Sequence, residues 1–186
     1  MTLQELAVRV RECRRCGLCV ERTQAVPGDG CDTAKVMLLG EAPGRSEDLG
    51  GRPFVGAAGR VLTAALAEVG WRREDVYITN LVKCRPPQNR DPLPAEMLAC
   101  RPYFIEELKL LKPGVVILLG RHALVAVAPE LKISVAHGKP FRKTPGGRWY
   151  CPAYHPAATL YSPTLKAAFQ QDIQAARDCF DRVGVS

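Results

Sequence analysis

Long apolar runs are missing from this sequence. No stretch approaches the roughly 18 consecutive apolar residues of a membrane span, so a helical membrane protein is excluded. The first residues, MTLQELAVRVREC, hold no apolar segment ahead of a small-residue cleavage site. No secretory signal is therefore expected, and the chain reads as cytoplasmic. There is no internal repeat and no low-complexity tract. The P-loop spacing with its Lys-Ser/Thr pair is absent, and so is the dinucleotide fingerprint, which excludes those two phosphate-binding devices. Histidine is scarce, with only three residues, at 122, 137 and 155. Any chemistry that needs a neutral-pH proton carrier has few places to come from.

What is present is ordinary in bulk and unusual in detail. The 186 residues suit one domain, residues 1–186, able to bury its own core. A hydrophobic share of 47% with 24% charged residues fits a soluble globular chain. The net charge of +7 leans towards an anionic partner, with nucleic acid the usual one. A basic surface that only keeps the chain soluble is nearly as common. Eight cysteines in a reducing compartment point to metal or catalysis rather than to disulfides.

The periodicities alternate. Thr2 with Glu5 forms a capping-box pattern ahead of Leu3, Leu6 and Val10, a short helix leading to Cys13. Residues 22–34 read as loop. KVMLLGE (35–41), VYITNLVK (76–83), VVILLG (115–120) and RWYCPAYH (148–155) read as strands. GAAGRVLTAALAEVG (56–70) reads as a helix ending at Gly70, and RHALVAVA after the third strand stops at Pro129. RPPQNRDPLP (85–94), with four prolines, reads as loop. Pro102 is placed at the start of a helix whose inner face is Phe104, Leu108 and Leu111. A last helix begins at Ser162-Pro163. Strands alternating with helices imply a parallel sheet covered on both faces. Ligands of such sheets bind beyond the carboxyl ends of the strands, which here are Glu41, Asn80, Gly120 and His155.

Three segments and one set of cysteines can carry chemistry. GEAPG (40–44) makes a tight turn that offers backbone N–H groups to a ligand, and an ordinary strand-to-helix turn looks the same. Asn80 either satisfies local backbone groups or reads a base edge with its adjacent donor and acceptor. His155 ends a predicted strand, and Pro156 restricts its backbone in a way that aims the ring. Cys13 and Cys16 are a half-site for zinc or for iron–sulfur. Cys84 and Cys100 bracket the proline-rich loop and would close a four-cysteine site. Cys31, Cys151 and Cys179 read as small buried residues, and Cys19 is ambiguous.

GEAPGRSEDLGGRPFVGAAG, ITNLVKCRPPQNRDPLP and YHPAATL, in this order with the placed cysteines, resemble the family 4 uracil-DNA glycosylases over essentially the whole chain. The resemblance implies a three-layer α/β/α fold with a central four-stranded parallel sheet. It implies removal of uracil from single- or double-stranded DNA by a monomer, with hydrolysis of the N-glycosidic bond. It assigns Cys13, Cys16, Cys84 and Cys100 to a [4Fe–4S] cluster and leaves Cys19 out. It places Phe54 on the flipped base, Asn80 on O4 and N3–H, and His155 on O2. The backbone at Gly40, Glu41 and Ala42 would line the base. The best-known branch of the superfamily has an aspartate where this chain has Ala42. Glu41 is the nearest acid to hold the water or stabilise the sugar cation. Gly44 replaces that branch's methyl-excluding tyrosine, and Glu47 is the residue then expected to guard C5. Lys83, Arg85 and Arg90 are expected to meet phosphates. Of Thr159, Leu160 and Tyr161, Leu160 is the natural wedge. Residues 84–100 hold no histidine, unlike a branch that bonds covalently to the abasic sugar. Two rivals remain: a non-enzymatic nucleic-acid binder built on a zinc site, and a glycosylase for a broader set of deaminated bases.

Overall fold

The computed structural model describes residues 1–184. In chain order its elements are α1 (Leu3–Arg11), α2 (Leu18–Glu21), β1 (Asp29–Gly30), β2 (Val36–Gly40), α3 (Arg45–Gly50), α4 (Ala57–Glu68), β3 (Tyr77–Asn80), α5 (Pro94–Leu111), β4 (Val115–Leu119), α6 (Arg121–Val127), α7 (Ile133–Ala136), β5 (Phe141–Arg142), β6 (Trp149–Ala153) and α8 (Pro163–Val183). Short 3₁₀ turns occupy Arg73–Asp75, Pro87–Asn89 and Pro156–Tyr161.

The sheet order is β1-β3-β2-β4-β6-β5. Its four long strands pair in parallel, and the two-residue strands β1 and β5 add antiparallel edges. The expected four-stranded parallel sheet is thus the centre of a six-stranded one. Side chains alternate across it. Met37, Leu39, Val116 and Leu118 face a core shared with α1, α5 and α6. Val36, Leu38, Ile78, Val115 and Ile117 face a second core shared with α4 and α8. Both faces are dry, so the strands read as unbroken apolar runs.

Strand order reverses at β2, which has β3 on one side and β4 on the other. A crevice at the carboxyl ends follows from that topology. The register sets Gly40 opposite Asn80. Leu81 N–H donates to the Gly40 carbonyl at 3.0 Å and Val82 N–H to the Glu41 carbonyl at 2.9 Å, so the pairing continues past the last strand residue.

Two local expectations are corrected. The helix expected from Pro102 begins at Pro94, and Pro102 lies inside it. Pro94 takes the first helical position, where its missing N–H costs nothing, and the Glu96 carboxylate accepts from Leu93 N–H at 2.7 Å to fix the start. The early start puts Cys100 within the helix, buried beside the sheet. The loop expected over 22–34 contributes the edge strand β1.

Gly59 lies in α4 where the helix passes the Phe54 segment. A Cβ there would sit 1.8 Å from the Phe54 carbonyl oxygen. Gly59→Ala must therefore push the helix or the Phe54 backbone aside, at a cost of about 1–3 kcal/mol. A thermal melt should show the lowered midpoint, and an unchanged midpoint would contradict this packing.

Candidate active site

A cavity of about 330 Å³ opens at the carboxyl ends of β2 and β3. Glu41 and Ala42 line it from the turn after β2, and Asn80 from the end of β3. Glu47 lines it from α3, Phe54 from the following loop, and His155 from the end of β6. Gly40 lies behind the wall: a Cβ on it would fall 2.3 Å from Asn80 Oδ1 and 2.6 Å from the Phe54 ring. The absence of a side chain at residue 40 is what lets the amide and the ring stand where they do.

Phe54 is buried with φ 52°, left-handed backbone that a bulky residue rarely adopts. Its surroundings hold it there. Arg73 Nη1 donates to the Phe54 carbonyl at 3.0 Å, and Nη2 donates to the Pro53 carbonyl. Glu47 Oε1 accepts from the N–H groups of Val55 at 2.9 Å and Gly56 at 2.8 Å, while Oε2 accepts from Gly44 N–H at 3.1 Å. The Glu47 carboxylate is thus occupied as a clamp on the Phe54 loop. The Phe54 and His155 rings lie 5.7 Å apart, tilted by 34°.

Asn80 is only 2% exposed, and its Oδ1 has no hydrogen-bond partner. A buried acceptor left unpaired costs on the order of 1–3 kcal/mol, so such an atom calls for a ligand. His155 is oriented by its own turn, with Ala157 N–H donating to Nδ1 at 3.2 Å. Nδ1 is therefore the acceptor nitrogen, and the neutral ring carries its proton on Nε2. Burial lowers the His155 pKa to about 4, a trend that Glu47 opposes and His122 reinforces. Glu41 is shifted the other way: burial raises its carboxyl above the ordinary value, Asp91 adds to this, and His122 and Arg121 oppose it. The pocket thus holds an acid and a neutral donor whose affinities are displaced in opposite directions.

Sequence reasoning missed several residues here. His122 Nε2 lies 3.7 Å from Glu41 Oε2 and 3.4 Å from Asp91 Oδ2, without forming a hydrogen bond to either. Its position in the first turn after β4 was the available signal. Asn89 lines the cavity with φ 55°, and its Oδ1 accepts from Arg85 Nε at 2.7 Å. Arg73 gave no sequence signal, because its role depends on the loop it grips.

The expected phosphate contacts divide. Arg90 lines the cavity and is held by Glu96 at 2.6 and 2.9 Å, while Arg85 is tied to Asn89. Lys83 does not fit: it is 1% exposed and its ammonium is enclosed by Thr79, Asn80 and Glu107. The expectation that it meets phosphate is corrected, since a side chain sealed in the core cannot reach a backbone outside. Leu160 is 42% exposed and Tyr161 91%, while Thr159 is buried.

Cys13 and Cys16 precede α2, Cys84 follows β3, and Cys100 lies in α5. All four are free thiols packed into one core, close enough that Cys84 feels Cys16 and Cys13, and Cys100 feels Cys84 and Cys13. Burial pushes the Cys100 thiol up to about 11. Arg22 Nη1 donates to Cys84 Sγ at 2.9 Å, and Lys83 N–H to Cys100 Sγ at 3.3 Å, contacts suited to sulfur bearing negative charge. Among the described residues no three cysteine sulfurs converge within 4.8 Å. Four thiolates on one zinc ion would stand about 3.8 Å apart. By donor chemistry a four-thiolate set suits an iron–sulfur group, and a zinc ion as well. Cys19 is half-buried nearby, Cys151 and Cys179 are buried, and Cys31 is half-buried rather than enclosed.

The fold and the cavity define an α/β protein whose pocket is flanked by an aromatic face, an amide and a neutral imidazole. The chain belongs to the uracil DNA glycosylase superfamily, whose family pattern matches residues 27–177. It is 46% identical over 180 residues to a type-4 uracil-DNA glycosylase of Pyrobaculum aerophilum, covering 93% of this chain and 92% of that one. It is 39% identical over 186 residues to a type-4 uracil-DNA glycosylase of Thermotoga maritima, covering 98% and 96%. A type-5 uracil-DNA glycosylase of Thermus thermophilus is 38% identical over 151 residues, covering 70% and 68%. Among the described residues no helix is long and apolar enough to cross a membrane.

The lowered His155 pKa has a sign that can be tested. Between pH 6.5 and about 4 the unfolded chain binds a proton that the folded chain refuses. Stability therefore falls as pH drops through that window, by on the order of 2 kcal/mol at pH 5 from this residue. In His155→Asn the fall in melting temperature from pH 7 to pH 5 should be smaller than in the parent. Equal slopes would show that His155 is not held neutral by burial.

Proposed function

We propose that this chain is a DNA-repair enzyme that takes uracil flipped out of DNA and hydrolyses its N-glycosidic bond, leaving an abasic site. The observation that carries the reading is the partnerless, buried Oδ1 of Asn80 on the wall of the cavity. Uracil supplies the complement: its N3–H donates to Oδ1, and its O4 accepts from the Asn80 amide nitrogen. Cytosine presents an amine and an unprotonated N3 at the same two points. A fixed amide rejects it by leaving buried groups unpaired. Phe54 stacks on the base, a contact worth about 1–3 kcal/mol. The backbone at Glu41 and Ala42 completes the wall, with Gly40 directly behind it.

The leaving group accounts for the state of His155. As the bond breaks, negative charge gathers on uracil O2. The proton on Nε2 is placed to donate there, stabilising the departing anion without transferring a full charge. Glu41 stabilises the sugar cation and orients the water that replaces the base. Glu47 holds the Phe54 loop and, standing on the cavity wall, guards C5 of the base. Arg85 and Arg90 supply salt-sensitive phosphate contacts, and Leu160 fills the gap left by the flipped base.

Cys13, Cys16, Cys84 and Cys100 would hold a [4Fe–4S] cluster whose part is structural. It would tie the N-terminal segment and the 84–100 segment together beside the pocket. The resemblance to the family 4 glycosylases is what favours iron–sulfur over the zinc alternative. The chain acts as a single-domain monomer in the cytoplasm, on single- or double-stranded DNA.

The direct test is a uracil-containing oligonucleotide treated with cluster-loaded protein and then alkali, which cuts abasic sites. Cleavage at uracil is expected; none at all would refute the enzyme assignment. Asn80→Asp should slow uracil release by at least about 100-fold and allow detectable cytosine release. Uracil release at the parent rate would refute the base-reading role.

The ligand assignment has its own readout. Cys19→Ala should keep the brown colour and visible absorbance, while Cys16→Ala should lose both and melt at a lower temperature. The reverse pattern would overturn the ligand set.

A further inference from the structure

Lys83 and Glu107 form an ion pair with both side chains 1% exposed. Lys83 Nζ lies 2.8 and 2.9 Å from the two Glu107 oxygens, 2.5 Å from Thr79 Oγ1 and 2.8 Å from the Asn80 carbonyl oxygen. The Thr79 hydroxyl also lies 3.0 Å from each Glu107 oxygen. The lysine main chain is equally engaged. Its N–H donates to Cys100 Sγ at 3.3 Å, and its carbonyl accepts from Val26 N–H at 2.7 Å. Cys84 is the next residue.

Such a pair is a poor way to gain stability. Desolvating two charges roughly cancels their attraction, and a well-packed apolar pair of the same volume usually does as well or better. What an ammonium does that a methyl cannot is fix several acceptors at set directions. Here one of those acceptors is the main-chain oxygen of the residue whose side chain points into the pocket. The other faces of Asn80 are bounded by the Gly40 backbone and the Phe54 ring, which limit movement but do not set the angle of the amide. A shift of about 1 Å in such a group can cost on the order of 100-fold in rate.

We infer that Lys83 and Glu107 are positioning residues for uracil recognition. Their buried pair locks the Asn80 backbone against α5, and thereby aims the Asn80 amide and ties it to the segment carrying Cys84 and Cys100. The inference rests on the base-reading role of Asn80 proposed above. It explains why the chain keeps a charged lysine in a sealed place where the sequence suggested a phosphate contact.

The test separates orientation from stability. Lys83→Met alone strands a buried carboxylate and should lower the melting temperature sharply. Lys83→Met with Glu107→Leu removes both charges and should recover most of that loss. Rates are normalised to cluster absorbance, so that only loaded protein is compared. The double variant should then retain its visible spectrum and its affinity for uracil-free DNA. Its kcat/KM on a uracil oligonucleotide should be at least tenfold below the parent, and its preference for uracil over cytosine should be reduced. Parent-like kcat/KM and selectivity in a double variant of normal melting temperature would overturn the inference. If the double variant does not fold, Glu107→Gln carries the test, since it keeps the shape and weakens the grip on the ammonium. A several-fold loss of kcat/KM with lowered selectivity is expected of it, and parent values would overturn the inference. Failure of the underlying reading looks different: Asn80→Asp would then behave as the parent does.

Discussion

Everything in the pocket depends on the parallel pairing of β2 with β3, and on the register that sets Gly40 against Asn80. Shifted by one residue, the amide would face the opposite core, because strand side chains alternate. With the register as it is, the last residues of two buried strands meet at the point where strand order reverses. The turns that follow carry Glu41 on one side and the cysteine segment on the other. The sheet therefore places the amide, the acid and the sulfur cradle by a single set of backbone hydrogen bonds.

Desolvation then differentiates the groups that the sheet brings together. The same loss of water that raises the Glu41 carboxyl lowers His155 to about 4. Each shift favours the uncharged form. For His155 this yields a neutral donor, whose tautomer is set by the Ala157 N–H. For Glu41 it is opposed by His122 and Arg121, which keep the ionised form accessible. Burial also leaves Asn80 Oδ1 without a partner among the described protein groups, on the wall of the cavity.

The sequence made the regular parts legible because their signals are local. Four apolar runs became the four long strands, and Thr2 with Glu5 and Ser162 with Pro163 marked helix starts that the structure has. The pocket residues at strand ends could be placed from the same pattern. Non-local features were hidden. Pro102 reads as a helix start by itself, and only the Glu96 bond to Leu93 shows that the helix has already begun. A lysine beside a proline-rich loop looks solvent-facing until Glu107, 24 residues later, is found against it. Arg73 and His122 act on partners distant in the chain, and no spacing rule announces them.

The sheet ends on both sides in strands of two residues, Asp29–Gly30 and Phe141–Arg142, each antiparallel to its neighbour. An edge this short offers almost no row of unpaired backbone groups for another chain to join. One is interrupted by a glycine and the other carries a cation. For a basic chain of a DNA-glycosylase superfamily this has a practical consequence. Two copies brought close together have little free backbone through which to join their sheets.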